Sequence, residues 1–133
     1  MSRLQYTPFG EDVLAFLERK KGVKHGGITM ISKATGIDKS KISDYFSGKK
    51  DPALTTVMRI IVALDADYET ALRLVRTTGY DISDIRIPKN RIYHRVLTED
   101  LTVNEIKQLF YEATWDYDFK PNTGEKYPIN YKL

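Results

Sequence analysis

The chain has no cysteine, and only one tryptophan and two histidines among its 133 residues. Without thiols it can form no disulfide, thiolate zinc site, iron–sulfur cluster or cysteine nucleophile. No apolar run approaches the roughly 18 residues needed to span a bilayer, and the opening MSRLQYTPFGED has no apolar signal-peptide core. The expected location is the cytoplasm, with no membrane contact. His25 lies in a glycine loop and His94 beside Arg91 and Arg95, neither with an evident partner for proton transfer. Glu99, Asp100, Asp116 and Asp118 come without a ligand set of metal-binding spacing. Gly26-Gly27 lacks the preceding strand and the following Lys-Ser/Thr of a phosphate loop. The chain is therefore read as not an enzyme, with no catalytic residue, no cofactor and no metal.

What is present is a folding composition, with nine tyrosines, five phenylalanines, 41% hydrophobic and 29% charged residues. The net charge is only +3, but its distribution is lopsided. Between Arg19 and Lys50 nine basic residues face two acidic ones, Asp38 and Asp44, whereas residues 51–133 hold eleven basic and thirteen acidic residues. A concentrated basic stretch suits a polyanion; the plainer alternative is a solvated lysine-rich surface.

Hydrophobic spacing predicts a mainly α protein. A first helix runs from about Glu11 to Lys20 on Val13, Leu14, Phe16 and Leu17, and a second from Ile28 to Thr35 on Ile31 and Ala34. Gly36 ends the second, since glycine adopts the left-handed conformation of a helix C-terminus at no steric cost. Asp38 is placed as N-cap of a third helix, Lys39 to Phe46, with Ile42, Tyr45 and Phe46 inward and Gly48 closing it. After Asp51-Pro52 a fourth helix, from about Thr55 to Leu64, is apolar on most sides and should be central. Asp67 caps a fifth with Ala71, Leu72 and Val75 inward, ended by Gly79. A sixth, about Asn90 to Leu97, presents Ile92, Val96 and Leu97. Thr102 to Glu105 reads as a capping box that starts a seventh, burying Val103, Ile106, Leu109, Phe110 and Ala113.

The exposed side of the third helix is short and polar: Ser40, Ser43, Asp44 and Ser47, flanked by Lys39 and Lys41. Such a face can enter a major groove, where serine hydroxyls donate or accept and lysine prefers guanine or phosphate. Residues 28–67, ITMISKATGIDKSKISDYFSGKKDPALTTVMRIIVALDAD, resemble the lambda-repressor-like helix-turn-helix family, the Xre/Cro group. The likeness is carried by Gly36-Ile37, Ile42-Ser43, Ser47-Gly48-Lys49, Pro52 and Ala63-Leu64, and extends over residues 10–79 with the flanking helices. It implies a five-helix DNA-binding domain in residues 1–79. It further implies a sequence-specific transcriptional regulator, a dimeric repressor reading palindromic double-stranded DNA with the third helix in the major groove.

In that family the positions matching Lys39, Ser40, Lys41 and Asp44 usually reach bases. A glutamine that touches phosphate is replaced here by Ile28, so that contact is either lost or moves to Thr29. A glutamate that pairs with an arginine of the first helix is replaced by Phe46, so an apolar contact is expected instead of an ion pair. Asp44 repels phosphates unless it accepts from a cytosine amino group or pairs with Lys39 or Lys41. Lys49 and Lys50 follow Gly48 and need only a phosphate partner.

Residues 80–133 form a C-terminal helical extension whose end changes period. Trp115, Tyr117 and Phe119, then Tyr127, Ile129 and Tyr131, alternate with polar residues or proline around Pro121 to Gly124, which predicts a small β-hairpin with one aromatic face. That face either completes the chain's own core or pairs with a second copy or another protein. Phe110 and those six residues are the candidate contacts for a homodimer or a protein partner. The alternative to a repressor is an antitoxin or inhibitor that binds its partner through this half and regulates its own synthesis through the other.

Overall fold

In the computed structural model, which describes residues 5–114, the first helix starts three residues earlier than hydrophobic spacing suggests. The Thr7 hydroxyl accepts from the Gly10 amide at 3.1 Å, and Pro8 takes the first helical turn, where its missing N–H is no loss. Seven helices follow in order: α1 (Pro8–Lys21), α2 (Gly27–Thr35), α3 (Lys39–Ser47), α4 (Leu54–Leu64), α5 (Tyr68–Arg76), α6 (Pro88–Thr98) and α7 (Val103–Thr114). No strand occurs among the described residues, and none of their helices is long and apolar enough to cross a membrane. The hairpin expected around Trp115 to Tyr131 lies outside them.

Several helix ends follow local chemistry. Asp67 accepts from the Thr70 amide at 2.7 Å, and the Thr70 hydroxyl together with that amide lowers its carboxyl pKa from the ordinary value. The capping box before α7 is complete: the Glu105 amide donates to the Thr102 hydroxyl at 3.1 Å, and the Glu105 carboxylate accepts from the Thr102 amide at 2.8 Å. Asp38 holds the N-cap position of α3 but makes no side-chain capping bond. The fifth helix stops at Arg76, before a turn that carries the chain to Gly79.

Helix α4 is the centre of the fold, with Val57, Met58 and every residue from Ile60 to Leu64 buried. It packs on α2, α5 and α6, while α1 lies against α2, α3 and α5, and α7 against α6. One hydrophobic cluster runs from Phe9 through Ile31, Ile42, Ile61 and Leu74 to Tyr93 and Phe110. The core therefore continues across Gly79, where the sequence suggested a boundary. In α6 the buried apolar residues are Tyr93 and Val96, with Ile92 and Leu97 at the margin. In α5 Leu74 joins Ala71 and Val75 inside, and Leu72 is half-buried.

The contact of α1 with α3 is aromatic packing, the apolar contact expected at Phe46. Phe9 meets Phe46 edge-on with ring centroids 5.7 Å apart, and the Thr7 amide donates to the Phe46 carbonyl at 2.6 Å. The helices approach closely because Gly10 has no side chain: a Cβ there would stand 2.8 Å from Phe46 Cβ and 2.9 Å from its carbonyl oxygen. Glycine to alanine within a helix ordinarily gains about 0.8–1.0 kcal/mol. At Gly10 the obstructing atoms are fixed by backbone, so overpacking of about 1–3 kcal/mol or more outweighs that gain. Urea unfolding of Gly10→Ala is expected to show a net loss; a stabilised variant would mean that α1 and α3 stand apart.

Candidate nucleic-acid interface

Ile42 and Phe46 face inward with no exposed surface, which fixes the rotation of α3 about its axis. Lys39, Ser40 and Lys41 are consequently exposed on its first turn, and Ser43, Asp44 and Ser47 are half-buried further along. Tyr45, expected inside, is also half-buried, packed at the edge of the core. The Ser47 hydroxyl and the Lys50 amide both donate to the Asp44 carbonyl, at 3.4 and 3.2 Å. These bonds shape the turn at Gly48 that leaves Lys49 and Lys50 exposed just beyond the helix. Thr29, at the start of α2, is half-buried.

The charges on this face are uncommitted. Ion pairs join Asp12 to Arg73, Arg76 to Asp81, Arg86 to Asp84 and Arg95 to Glu99, away from α3. Lys39, Lys41, Lys49 and Lys50 enter none of them, and Asp44 pairs with neither Lys39 nor Lys41. A lysine with no internal partner keeps its full charge available to an external anion.

The turn that leads into α3 is bonded throughout. Gly36 adopts φ 77°, and its amide donates to the Ser32 carbonyl at 2.8 Å, closing α2. The Ser32 hydroxyl donates to the Ile37 carbonyl at 2.6 Å. Thr35, fully buried, donates its hydroxyl to the Ile31 carbonyl at 2.7 Å and accepts from the Ile37 amide at 3.2 Å. From α4 the Arg59 guanidinium donates to the Thr35 carbonyl at 2.5 Å. Ile31, Ile37 and Ile42, all buried, fill the angle between the two helices.

No family model, curated protein or solved structure matches this chain.

The arrangement of side chains therefore carries the functional argument. Among the described residues no group of three or more histidines, aspartates or glutamates is placed to hold a metal ion. His25 is exposed, and His94 packs edge-on against Tyr68 with ring centroids 4.8 Å apart.

Phe110, read from the sequence as a dimer or partner contact, is a core residue. It has no exposed surface and meets the buried Tyr93 ring at 6.1 Å and 62°. The periodicity of α7 marks an apolar face, and α6 covers it within the same chain. Trp115, Tyr117, Phe119, Tyr127, Ile129 and Tyr131 lie outside the described residues.

Hydrophobic patterning passed over Ser32, Thr35 and Arg59. Their signals were a serine and a threonine just before the helix-ending Gly36, and a lone cation in the apolar run LTTVMRIIVAL. Such a cation inside an apolar helix calls for a buried acceptor nearby.

Proposed function

We propose that this protein is a sequence-specific double-stranded-DNA-binding regulator that lays α3 in the major groove. On this reading α1 to α5 are the five-helix lambda-repressor-like domain, α2 and α3 are its helix-turn-helix, and the protein acts as a dimeric repressor on a palindrome. The observation that carries the reading is the polar and basic face of α3, Lys39, Ser40, Lys41, Ser43, Asp44 and Ser47, continued by Lys49 and Lys50, with none of these four lysines in an ion pair. A single nine-residue helix reaches few bases, so two copies on half-sites about one helical turn apart supply the remaining specificity. Dimer contact then belongs to the aromatic residues Trp115 to Tyr131 rather than to Phe110.

Selection of bound duplexes from a random pool, followed by fluorescence anisotropy on the winning site, tests the reading. Ser40→Ala and Lys41→Ala are each expected to weaken binding to that site by about 1–3 kcal/mol and binding to random duplex much less. Equal losses on both, or none, would remove these residues from base contact. An unenriched pool would end the proposal.

Lys49 and Lys50 should behave differently, because phosphate contacts carry no sequence information. Neutralising both is expected to weaken binding to every duplex and flatten the slope of log affinity against log salt by about 2. An unchanged slope would place both lysines off the DNA.

A further inference from the structure

The Arg59 guanidinium reaches the turn's backbone network from α4, outside α2, α3 and their turn. Its acceptor, the Thr35 carbonyl, belongs to the last turn of α2, where carbonyls have no helical partner. A cation there also complements the negative end of the helix dipole. The same threonine's hydroxyl holds the Ile37 amide, two residues before α3 begins. Arg59 in α4 is thus linked through Thr35 to the orientation of α3.

We infer that Arg59 is a positioning residue for sequence reading: by tying α4 to the Thr35 carbonyl it sets the angle at which α3 presents Lys39, Ser40 and Lys41. The inference rests on the DNA-binding reading and extends it to a residue that need touch no DNA. The surroundings allow the role to be separated from stability. Arg59 is half-buried and lines a polar cavity of about 250 Å³ with Asp38, Lys41, Tyr45 and Thr56. Replacing its head group leaves the side chain's apolar stem in place beside that cavity, not a hole in the sealed core of Ile60 and Ile61.

The test compares full-length wild type, Arg59→Met and Arg59→Lys on the selected duplex and on random duplex across a salt series. Backbone amide exchange at Ile37 is followed in the free proteins. For Arg59→Met, affinity for the selected site is expected to fall on the order of tenfold, that for random duplex to stay within about twofold, and the salt slope to stay unchanged. Ile37 should exchange faster in the same variant, and Arg59→Lys, with one donor able to reach the carbonyl, should restore part of both properties. A salt slope lower by about 0.9 with equal losses on all duplexes would show instead that Arg59 grips phosphate directly, and would overturn the positioning role. Retained selectivity in Arg59→Met would overturn it as well. If wild type itself shows no selectivity, the DNA-binding reading fails and the inference falls with it, a result distinct from either of the others.

Discussion

Phe46→Ala is expected to lower the free energy of unfolding by about 3–5 kcal/mol, a large share of the 5–15 kcal/mol that holds an ordinary domain together. The ring has no exposed surface, and its edge-on partner Phe9 comes from a different helix, so neither side can collapse into the space without moving backbone. Gly10 already brings α1 against the Phe46 backbone, and closer approach is blocked there. The void should therefore persist and its full cost should register. Urea titration followed by far-ultraviolet circular dichroism measures the loss. A change below about 1 kcal/mol would mean that the site repacks freely and that α1 does not brace α3 through this ring.

Phe110→Ala is expected to cost a similar amount, about 3–5 kcal/mol, with no change in oligomeric state of the folded protein. The ring packs on Tyr93, also fully buried, and their contact joins α7 to α6, which in turn rests on α4 and α5. Loss of the ring undercuts a covering layer of the core, so destabilisation should be felt in the whole cooperative transition and not in α7 alone. Light scattering at concentrations where the variant remains folded gives the second half of the test. Unchanged stability together with a dissociated oligomer would return Phe110 to an interface between copies.

These two phenylalanines also show how far patterning reaches. Ile42 and Phe46 lie four residues apart on one face of a short helix, and any window that contains the helix reveals that they point inward. The capping box at Thr102 and Glu105, the Asp67 cap and the glycine stop after Thr35 are equally local, each set by residues within four positions. What covers an apolar face is a different matter. Phe110 carries the same periodic signal whether Tyr93 or a second copy lies over it, and only the path of the chain through α6 decides.

The same limit applies to the glycine in the first turn of α1. Gly10 is accounted for by its neighbour Phe46, thirty-six residues away in sequence. Arg59 is as remote from its acceptor, twenty-four residues upstream at Thr35. Asp38 shows the converse: residue type and position fit a cap, yet the side chain makes no such bond. Propensity identifies where an interaction is available and not whether the fold uses it.

Helix α3 is supported at both ends, by the bonded turn at Gly36 and by the seat of Phe46 against Thr7, Phe9 and Gly10. A nine-residue rod pinned in this way has little freedom to tilt or flex toward a groove of the wrong width. On the DNA-binding reading the adaptation passes to the duplex, and its mechanical compliance becomes part of the code. Base steps that no side chain reaches, between the two half-sites, would then rank otherwise identical operators by how readily they twist and bend, with pyrimidine–purine steps yielding where A-tracts resist.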